Sequence, residues 1–265
     1  MDNWGRWAEI LLLGAVEGAT EFLPVSSTGH LIAVSHMLGR TEDADKLFEV
    51  VIQLGAVCAV LYEYRRRLWD MARAPGSAAA RRVIINLTLA FLPAAVLGFL
   101  FYPFIKEYLF SPKTVAAALI IGGAAIILAE KKKPPPRILT MDDMRARDAL
   151  AVGFCQTLAL VPGVSRAGAT IIGAMLWGVE RRAATEFSFL LALPVMFAAS
   201  GYDLLKNRHL LNFDLGAEIA AGFIVSFFAA LIAVRFLLRY VSRHDFTPFG
   251  WYRIAAGTAM LAAFY

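Results

Sequence analysis

The sequence has few charged residues and few cysteines, and both features limit the class of protein to which it can belong. Charged side chains make up 18% of the 265 residues, whereas 59% are hydrophobic, and the mean hydropathy is +0.61. In soluble globular proteins, roughly a quarter of the residues are charged. Cys58 and Cys155 lie in apolar segments without a CxxC or zinc spacing, so they indicate no redox or metal chemistry. The composition therefore predicts a polytopic membrane protein.

Several functional motifs are also missing from the sequence. It contains no Walker motif, no HExxH motif and no nucleic-acid-binding module. The net charge of +5 is modest, and the basic residues cluster in a few short loops, which indicates membrane topology. We therefore expect the membrane as a partner of this chain, and no nucleic acid.

Ten apolar runs are long enough to cross or enter a bilayer. Four of them flank Val25–Ser27 and Gly163–Arg166, where proline, glycine and serine interrupt the apolar sequence. Broken helices at membrane depth are tolerated where the freed backbone lines an enclosed or watery cavity. The sequence thus predicts an all-α polytopic membrane protein with six membrane crossings and two re-entrant helix-loop-helix pairs. The six predicted crossings are Leu47–Tyr62, Val83–Ile105, Thr114–Ala129, Thr185–Tyr202, Gly216–Arg235 and Phe249–Phe264.

The basic loops predict how these segments are oriented. Arginines at 65–67 and 81–82, the basic stretch 131–147 and the arginines at 235–243 mark three cytoplasmic loops. The first re-entrant pair then enters from the outer side of the membrane and the second from the cytoplasmic side. Both termini are predicted to be periplasmic.

The two interrupted stretches belong to a repeat. Gly14 matches Gly153 at an offset of 153 − 14 = 139, and the same offset pairs Ser26 with Ser165. Because each half has an odd number of crossings, the halves point in opposite directions, as in inverted-topology repeats. Chance matching of small residues in apolar chains is the alternative. We expect one membrane domain, residues 1–265, divided into a first repeat 1–129, a cytoplasmic linker 130–148 and a second repeat 149–265.

Two carboxylates lie in the first interrupted stretch. Glu17 and Glu21 share a helix face because residues four apart are neighbours, and charges at membrane depth usually mark a functional site. A divalent cation such as Mg²⁺ would offset their repulsion. The alternative is that Glu21 lies at the aqueous edge and that Glu17 alone is buried, paired with Arg166.

Hydroxyl groups and a histidine follow the proline of this stretch. Either Ser26 or Ser27 can cap the helix that begins there, and its free backbone N–H groups suit an anion. Ser27 lies three residues before His30, which favours a serine nucleophile with histidine as base or acid. A plain capping serine and a packed histidine remain the alternative.

The second interrupted stretch, residues 162–170, is rich in small residues and contains one arginine. Its backbone can therefore approach a ligand closely. Arg166 begins the following half-helix, and a diphosphate would match its bidentate guanidinium. Thr170 would lie on the same helix face. The alternative is a structural salt bridge from Arg166 to Glu17 or Glu21.

These two stretches together resemble the signatures of the bacterial undecaprenyl-diphosphate phosphatase family, also called bacitracin-resistance proteins. The matching segments are Glu17-Gly-Ala-Thr-Glu21-Phe-Leu-Pro-Val-Ser-Ser-Thr-Gly-His30 and Pro162-Gly-Val-Ser-Arg-Ala-Gly-Ala-Thr170. The resemblance covers nearly the whole chain. One position departs from the family pattern: Ala167 stands where the family usually has serine, so the resemblance assigns no direct role to that side chain.

The resemblance implies a multi-pass enzyme of the bacterial inner membrane that removes the terminal phosphate of undecaprenyl diphosphate. The lipid product, undecaprenyl phosphate, would return to cell-wall synthesis. The implied catalytic residues are Glu21, Ser27, His30 and Arg166. The expected substrate-binding residues are Ser26, Thr28, Gly163, Ser165 and Thr170. A divalent cation, Mg²⁺ or alternatively Ca²⁺, is expected on Glu17 and Glu21.

The residues leave some alternatives open. Water activated by Glu21 could attack the phosphorus directly in place of Ser27. An inverted repeat with a midplane site also describes a secondary transporter or a flippase for a lipid phosphate. Besides the lipid substrate, a homodimer is left open as an assembly.

Overall fold

In the part of the chain that the structure describes, the regular secondary structure is helical apart from an isolated β-bridge between Ile138 and Val179. That structure is a computed structural model, and it describes residues 3–109 and 111–264. The helices are α1 Asn3–Glu21, α2 Ser27–Leu38, α3 Asp43–Glu63, α4 Arg65–Arg73, α5 Ala78–Phe104, α6 Pro112–Lys132, α7 Ala146–Gln156, α8 Arg166–Leu176, α9 Arg181–Lys206, α10 Phe213–Tyr240 and α11 Thr247–Phe264. A π-helical turn, Ile105–Leu109, continues α5, and a 3₁₀ turn, Thr157–Leu160, continues α7.

Four of the described helices are long and apolar enough to cross a membrane. They are α5 over Ala78–Phe101, α6, α9 and α10, and all four coincide with predicted crossings. Helix α3, with 21 residues, and α11, with 18, lie where the other two crossings were predicted but are not among these four. The predicted class, an all-α membrane protein, is confirmed.

One helix was not expected from the sequence. Helix α4 forms within the first arginine-rich loop, and none of its residues is buried. Arginine, leucine and methionine are good helix formers, so this basic segment continues as a helix directly after α3. Its exposed Trp69 stacks beneath the guanidinium of Arg73, 5.1 Å from the ring centre.

Glycines allow the first helix of each half to pack tightly on the other half. A Cβ atom at Gly14 of α1 would lie 2.7 Å from the carbonyl oxygen of Gly222 in α10. A Cβ atom at the equivalent Gly153 of α7 would lie 2.7 Å from the carbonyl oxygen of Ala90 in α5. Because such distances are below van der Waals contact, both helix pairs need glycine here. These crossed contacts bring the α1–α2 and α7–α8 turns toward each other.

Candidate active site

The turn between α1 and α2 forms a sharp junction, residues 22–26, which we call the first junction. Ser26 adopts a left-handed backbone conformation, with φ 73° and ψ 93°, which is rare for a residue other than glycine. Its hydroxyl oxygen accepts a hydrogen bond from the backbone N–H of Gly29, 3.3 Å away, and so caps α2. Ser26 is therefore the N-cap, which leaves the hydroxyl of Ser27 free for another role.

The turn before α8, residues 161–165, is the second junction and has the same geometry. Ser165 has φ 72° and ψ 117°, and its hydroxyl accepts a hydrogen bond from the N–H of Gly168 at 3.0 Å. Gly163 has φ 94°, a conformation that glycine adopts without strain. Strained residues persist only where the surroundings enforce them, and they cluster at functional sites. Both junctions thus combine strain and capping at equivalent serines.

Glu21 connects the two junctions. The Ser27 hydroxyl donates a hydrogen bond to Oε2 of Glu21, and Nη2 of Arg166 lies 3.0 Å from Oε1. Ser27 and Arg166 are the first residues of α2 and α8, and the 139-residue offset makes them equivalent. One carboxylate therefore binds the first residue of both half-helices.

A cavity of about 180 Å³ opens beside Glu21, between the two junctions. Its polar lining includes Glu21, Ser27, Thr28, Ser165, Arg166 and Gln156. Apolar residues of α5 and α9, Ala94 and Val195 among them, form other parts of its wall. The cavity thus combines a charged end with apolar walls, which suits an amphiphilic ligand.

Main-chain and side-chain groups of α8 and α9 hold the guanidinium of Arg166 in place. Its Nη1 donates to the carbonyl oxygen of Ser188 at 2.9 Å, and the Ser188 hydroxyl lies 2.6 Å from that of Thr170. The guanidinium also lies over the ring of Phe22, 5.3 Å from its centre. Thr170 is fully buried behind Arg166. It therefore orients the arginine through Ser188 and does not line the cavity.

Glu17 is buried beneath this site. Its side chain has no exposed surface, and neither carboxylate oxygen has a hydrogen-bond partner among the described residues. The alternative in which Glu17 pairs with Arg166 is wrong, because Arg166 pairs with Glu21. A buried carboxylate without a partner is costly unless it is protonated or binds a cation. Gln156, at the equivalent place of the second half, is also buried and donates to the carbonyl oxygen of Ala90.

The two carboxylates are compatible with a divalent cation whose remaining ligands come from the substrate and water. Among the described residues, no group of three or more His, Cys, Asp or Glu side chains could hold a metal ion. Mg²⁺ is commonly bound by one or two carboxylates together with phosphate oxygens of the substrate and water. Glu17, whose oxygens have no hydrogen-bond partner among the described residues, and Glu21 at the cavity would be the carboxylates of such a site.

The structure does not bring His30 to Ser27. Its Nδ1 lies 2.7 Å from the carbonyl oxygen of Ser26, and its Nε2 lies 2.6 Å from the hydroxyl of Tyr252 in α11. The rings of His30 and Tyr252 are parallel, with centres 5.6 Å apart. Because both ring nitrogens are engaged, His30 contacts the first junction through Ser26.

Three residues of this region were not predicted from the sequence: Ser188, Tyr252 and Arg253. Arg253 is 1% exposed and contacts both junctions. A lone arginine within the apolar run Phe249–Phe264 was a signal that could have marked it. Ser188 and Tyr252 gave no such signal, because single serines and tyrosines are common in membrane helices.

The fold and the site define an all-helical membrane protein with an acid–hydroxyl–guanidinium centre between two broken helix pairs. The chain belongs to the family described as Bacitracin resistance protein BacA, whose model matches residues 10–259. An undecaprenyl-diphosphatase of Nitrosospira multiformis is 52% identical over 264 residues, 99% of this chain and 97% of that protein. The undecaprenyl-diphosphatase of Dechloromonas aromatica is 53% identical, and undecaprenyl-diphosphatase 2 of Rhodospirillum rubrum is 54% identical; each match covers 95% of this chain and 92% of the relative.

Proposed function

We propose that this chain hydrolyses undecaprenyl diphosphate to undecaprenyl phosphate and inorganic phosphate. Family membership and relatives named for this activity support the reaction. One structural observation supports its location, because Glu21 binds both the Ser27 hydroxyl and the Arg166 guanidinium at the cavity. A hydroxyl nucleophile and a guanidinium that binds phosphate thus meet at one carboxylate, which can itself act as the base.

In this mechanism the terminal phosphate replaces Glu21 as the partner of Arg166. The guanidinium and the N–H groups at the starts of α2 and α8 bind phosphate oxygens and stabilise charge in the transition state. The proposed substrate-binding residues are Ser26, Thr28, Gly163 and Ser165, which line the cavity. Thr170, expected from the sequence to bind substrate, instead orients Arg166 through Ser188. The isoprenoid chain lies along the apolar wall of the cavity.

Ser27 is the nucleophile in the pathway that the geometry favours. Its hydroxyl donates to Glu21, so the carboxylate accepts the proton as the Oγ–P bond forms and the bond from phosphorus to the bridging oxygen breaks. Undecaprenyl phosphate leaves, and water then hydrolyses the phosphoserine and releases inorganic phosphate. Direct attack by water, with Glu21 as its base, uses the same residues without a covalent intermediate.

Glu17 and Glu21 are the residues that would hold a divalent cation, Mg²⁺ or Ca²⁺. When bound, such a cation neutralises phosphate charge and polarises the phosphoryl oxygens. We assign His30 a positioning role, because its ring holds the Ser26 carbonyl oxygen of the first junction.

We further propose that the two halves, 1–129 and 149–265, form an inverted repeat of six crossings and two re-entrant pairs, joined by a cytoplasmic linker, 130–148. The crossed packing of α1 on α10 and of α7 on α5 supports this arrangement, because exchanging the halves exchanges the two contacts. The protein would lie in the bacterial inner membrane, with both termini periplasmic, and supply the lipid carrier for cell-wall synthesis. A homodimer is a further option for its assembly. A transporter or flippase function is not favoured, since the relatives are named as phosphatases.

The test is phosphate release from a C55 diphosphate by purified protein in detergent, with and without Mg²⁺. We expect hydrolysis that depends on the cation and is lost in Glu21→Gln and Arg166→Ala. Trapping a phosphoserine at Ser27 would establish the covalent pathway, whereas near-normal activity of Ser27→Ala would establish direct attack by water. Wild-type protein that binds the lipid without releasing phosphate would contradict the proposal.

A further inference from the structure

Arg253 binds main-chain carbonyl oxygens around the site. It lies in α11, is 1% exposed, and donates five hydrogen bonds of 2.8–3.4 Å. A guanidinium has five N–H groups, so the number of these bonds equals the number of its donors. The acceptors are the carbonyl oxygens of Pro24 at 3.2 Å, Ala118 at 3.1 Å, Leu119 at 3.4 Å, Gly163 at 2.9 Å and Val164 at 2.8 Å.

The acceptors lie on both junctions. Pro24 belongs to the first junction and Gly163 to the second, and the 139-residue offset makes them equivalent. Arg253 therefore binds the same carbonyl group in each half of the molecule. The guanidinium is planar and rigid, so two bound carbonyl groups have a fixed separation.

The surroundings of Arg253 are built around its guanidinium. A Cβ atom at Gly122 would collide with Nη2 of Arg253, and a Cβ atom at Gly168 would lie 3.2 Å from Nη1. Glycine at both positions leaves the space that this side chain occupies. Gly168 also supplies the N–H that Ser165 accepts, so the contact and the cap of α8 share a residue.

Two charged groups of opposite sign thus connect the junctions. Glu21 accepts from Ser27 and Arg166, and Arg253 donates to the carbonyl oxygens. A phosphate that replaces Glu21 as the partner of Arg166 removes the first link. The second link involves no group that the substrate needs, so it persists during the reaction.

We propose that Arg253 is a positioning residue that holds the two junctions at the separation at which Ser27 and Arg166 reach the same phosphoryl group. The inference rests on the proposed roles of those two residues. Arg253 itself touches neither the cavity nor the reacting atoms. Its effect is to keep a nucleophile from one half aligned with a cation from the other.

A lysine at this position keeps the positive charge but not the planar set of N–H donors of the guanidinium. Its ammonium has three donors on a flexible stem and cannot hold two junctions and α6 in one plane. Misplacement of reacting groups by about 1 Å can cost about 100-fold in rate. We therefore expect Arg253→Lys to lower kcat by about 100-fold while KM changes by less than about threefold, because either junction alone still binds substrate.

A double-mutant cycle distinguishes positioning from general destabilisation. We would measure kcat on radiolabelled C55 diphosphate for wild type, Arg253→Lys, Arg166→Ala and the double variant. Without the Arg166 guanidinium no cation remains to be aligned with Ser27. In the Arg166→Ala background, Arg253→Lys should therefore lower kcat by less than about fivefold. Loss of folding alone would give the same factor in both backgrounds and would overturn the inference.

Arg40→Lys is the matched control for burial of an arginine. Arg40 is 10% exposed and pairs with Glu9, Asp45 and Glu218, away from both junctions. The Arg40→Lys variant should have a lower melting temperature in detergent, with kcat within about threefold of the wild-type value. If Arg253→Lys does not fold, Arg253→Gln, which keeps a neutral planar donor, takes its place in the cycle.

The outcomes separate this inference from the proposed function. If Ser27→Ala and Arg166→Ala lose activity while folded Arg253→Lys keeps it, the positioning role fails and the proposed site stands. If wild-type protein releases no phosphate, the proposed function itself fails. A raised KM with unchanged kcat in Arg253→Lys would also contradict positioning, since it would indicate a role in binding alone.

Discussion

The two junctions share a backbone and differ in chemistry. Ser26 and Ser165 both have φ near 72°, and both cap the next helix through a glycine three residues later. At the next position the first junction presents the hydroxyl of Ser27, whereas the second presents the guanidinium of Arg166. The difference shows how a repeated scaffold can supply complementary groups, because equivalent positions face a common cavity from two sides.

The acidic residues follow the same division. Glu21 has no acidic counterpart, because Leu160 stands at the equivalent place, and Glu17 corresponds to Gln156. The first half therefore contributes the negative charge and the second half the positive charge. Such an asymmetry lets one centre bind an anionic ligand and also accept a proton.

The largest expected effect comes from removing the charge of Arg166, the residue that directly follows the second junction. Arg166→Ala should lower kcat by about 1,000-fold, and Arg166→Lys by about 100-fold, because lysine cannot form a bidentate contact with phosphate. Phosphate release under saturating lipid measures both. Arg182→Ala, which removes an exposed arginine paired with Glu186, is the control and should retain normal activity. A loss below tenfold in Arg166→Ala would mean that Arg166 has only a structural role.

The next effect concerns the proposed base, Glu21, which directly precedes the first junction. Glu21→Gln keeps the shape of the side chain, but its amide replaces one of the two acceptor oxygens with an NH₂ donor and cannot accept the proton from Ser27. We expect kcat to fall by about 100-fold or more, the range for loss of a general base. The control is Glu63→Gln, since Glu63 pairs with Arg235 outside the site. Activity comparable to the control would assign the proton transfer to another group.

A smaller effect is expected from making the first half resemble the second. Glu17→Gln introduces at position 17 the glutamine that stands at the equivalent position 156. It also removes a buried carboxylate that has no hydrogen-bond partner among the described residues. The Mg²⁺ concentration for half-maximal rate should rise by about tenfold, as for other changes close to a metal. Initial rates against free Mg²⁺ test this. An unchanged metal dependence would remove Glu17 from the cation site.

The smallest effect tests whether the two junctions are equivalent in energy. Ser26→Ala and Ser165→Ala each lose a cap and should each cost about 1 kcal/mol of stability. Ser26→Gly and Ser165→Gly lose the same cap but relieve the left-handed conformation, so they should be close to neutral. Denaturation midpoints of the substrate-free protein measure all four. Unequal losses at the two serines would show that only one junction stores strain.

Much of the site could be predicted from residue types and spacing. Glu21, Ser27 and Arg166 stood out because charged and hydroxyl groups are rare in apolar segments, and the structure brings these three together. The partner of His30 could not be predicted, because Tyr252 lies 222 residues further along the chain. Proximity in sequence suggested Ser27 instead.

The sequence alone determined the membrane class, the all-helical fold and the two interrupted stretches, because composition and helix breakers act locally. Only the tertiary structure decided which groups meet: that Arg166 pairs with Glu21 and not with Glu17, and that Arg253 binds both junctions. These contacts join residues that lie between 90 and 229 positions apart in the chain. They depend on the packing of α1 against α10 and of α7 against α5, where glycines let helix backbones touch, and no local pattern encodes which glycine meets which helix.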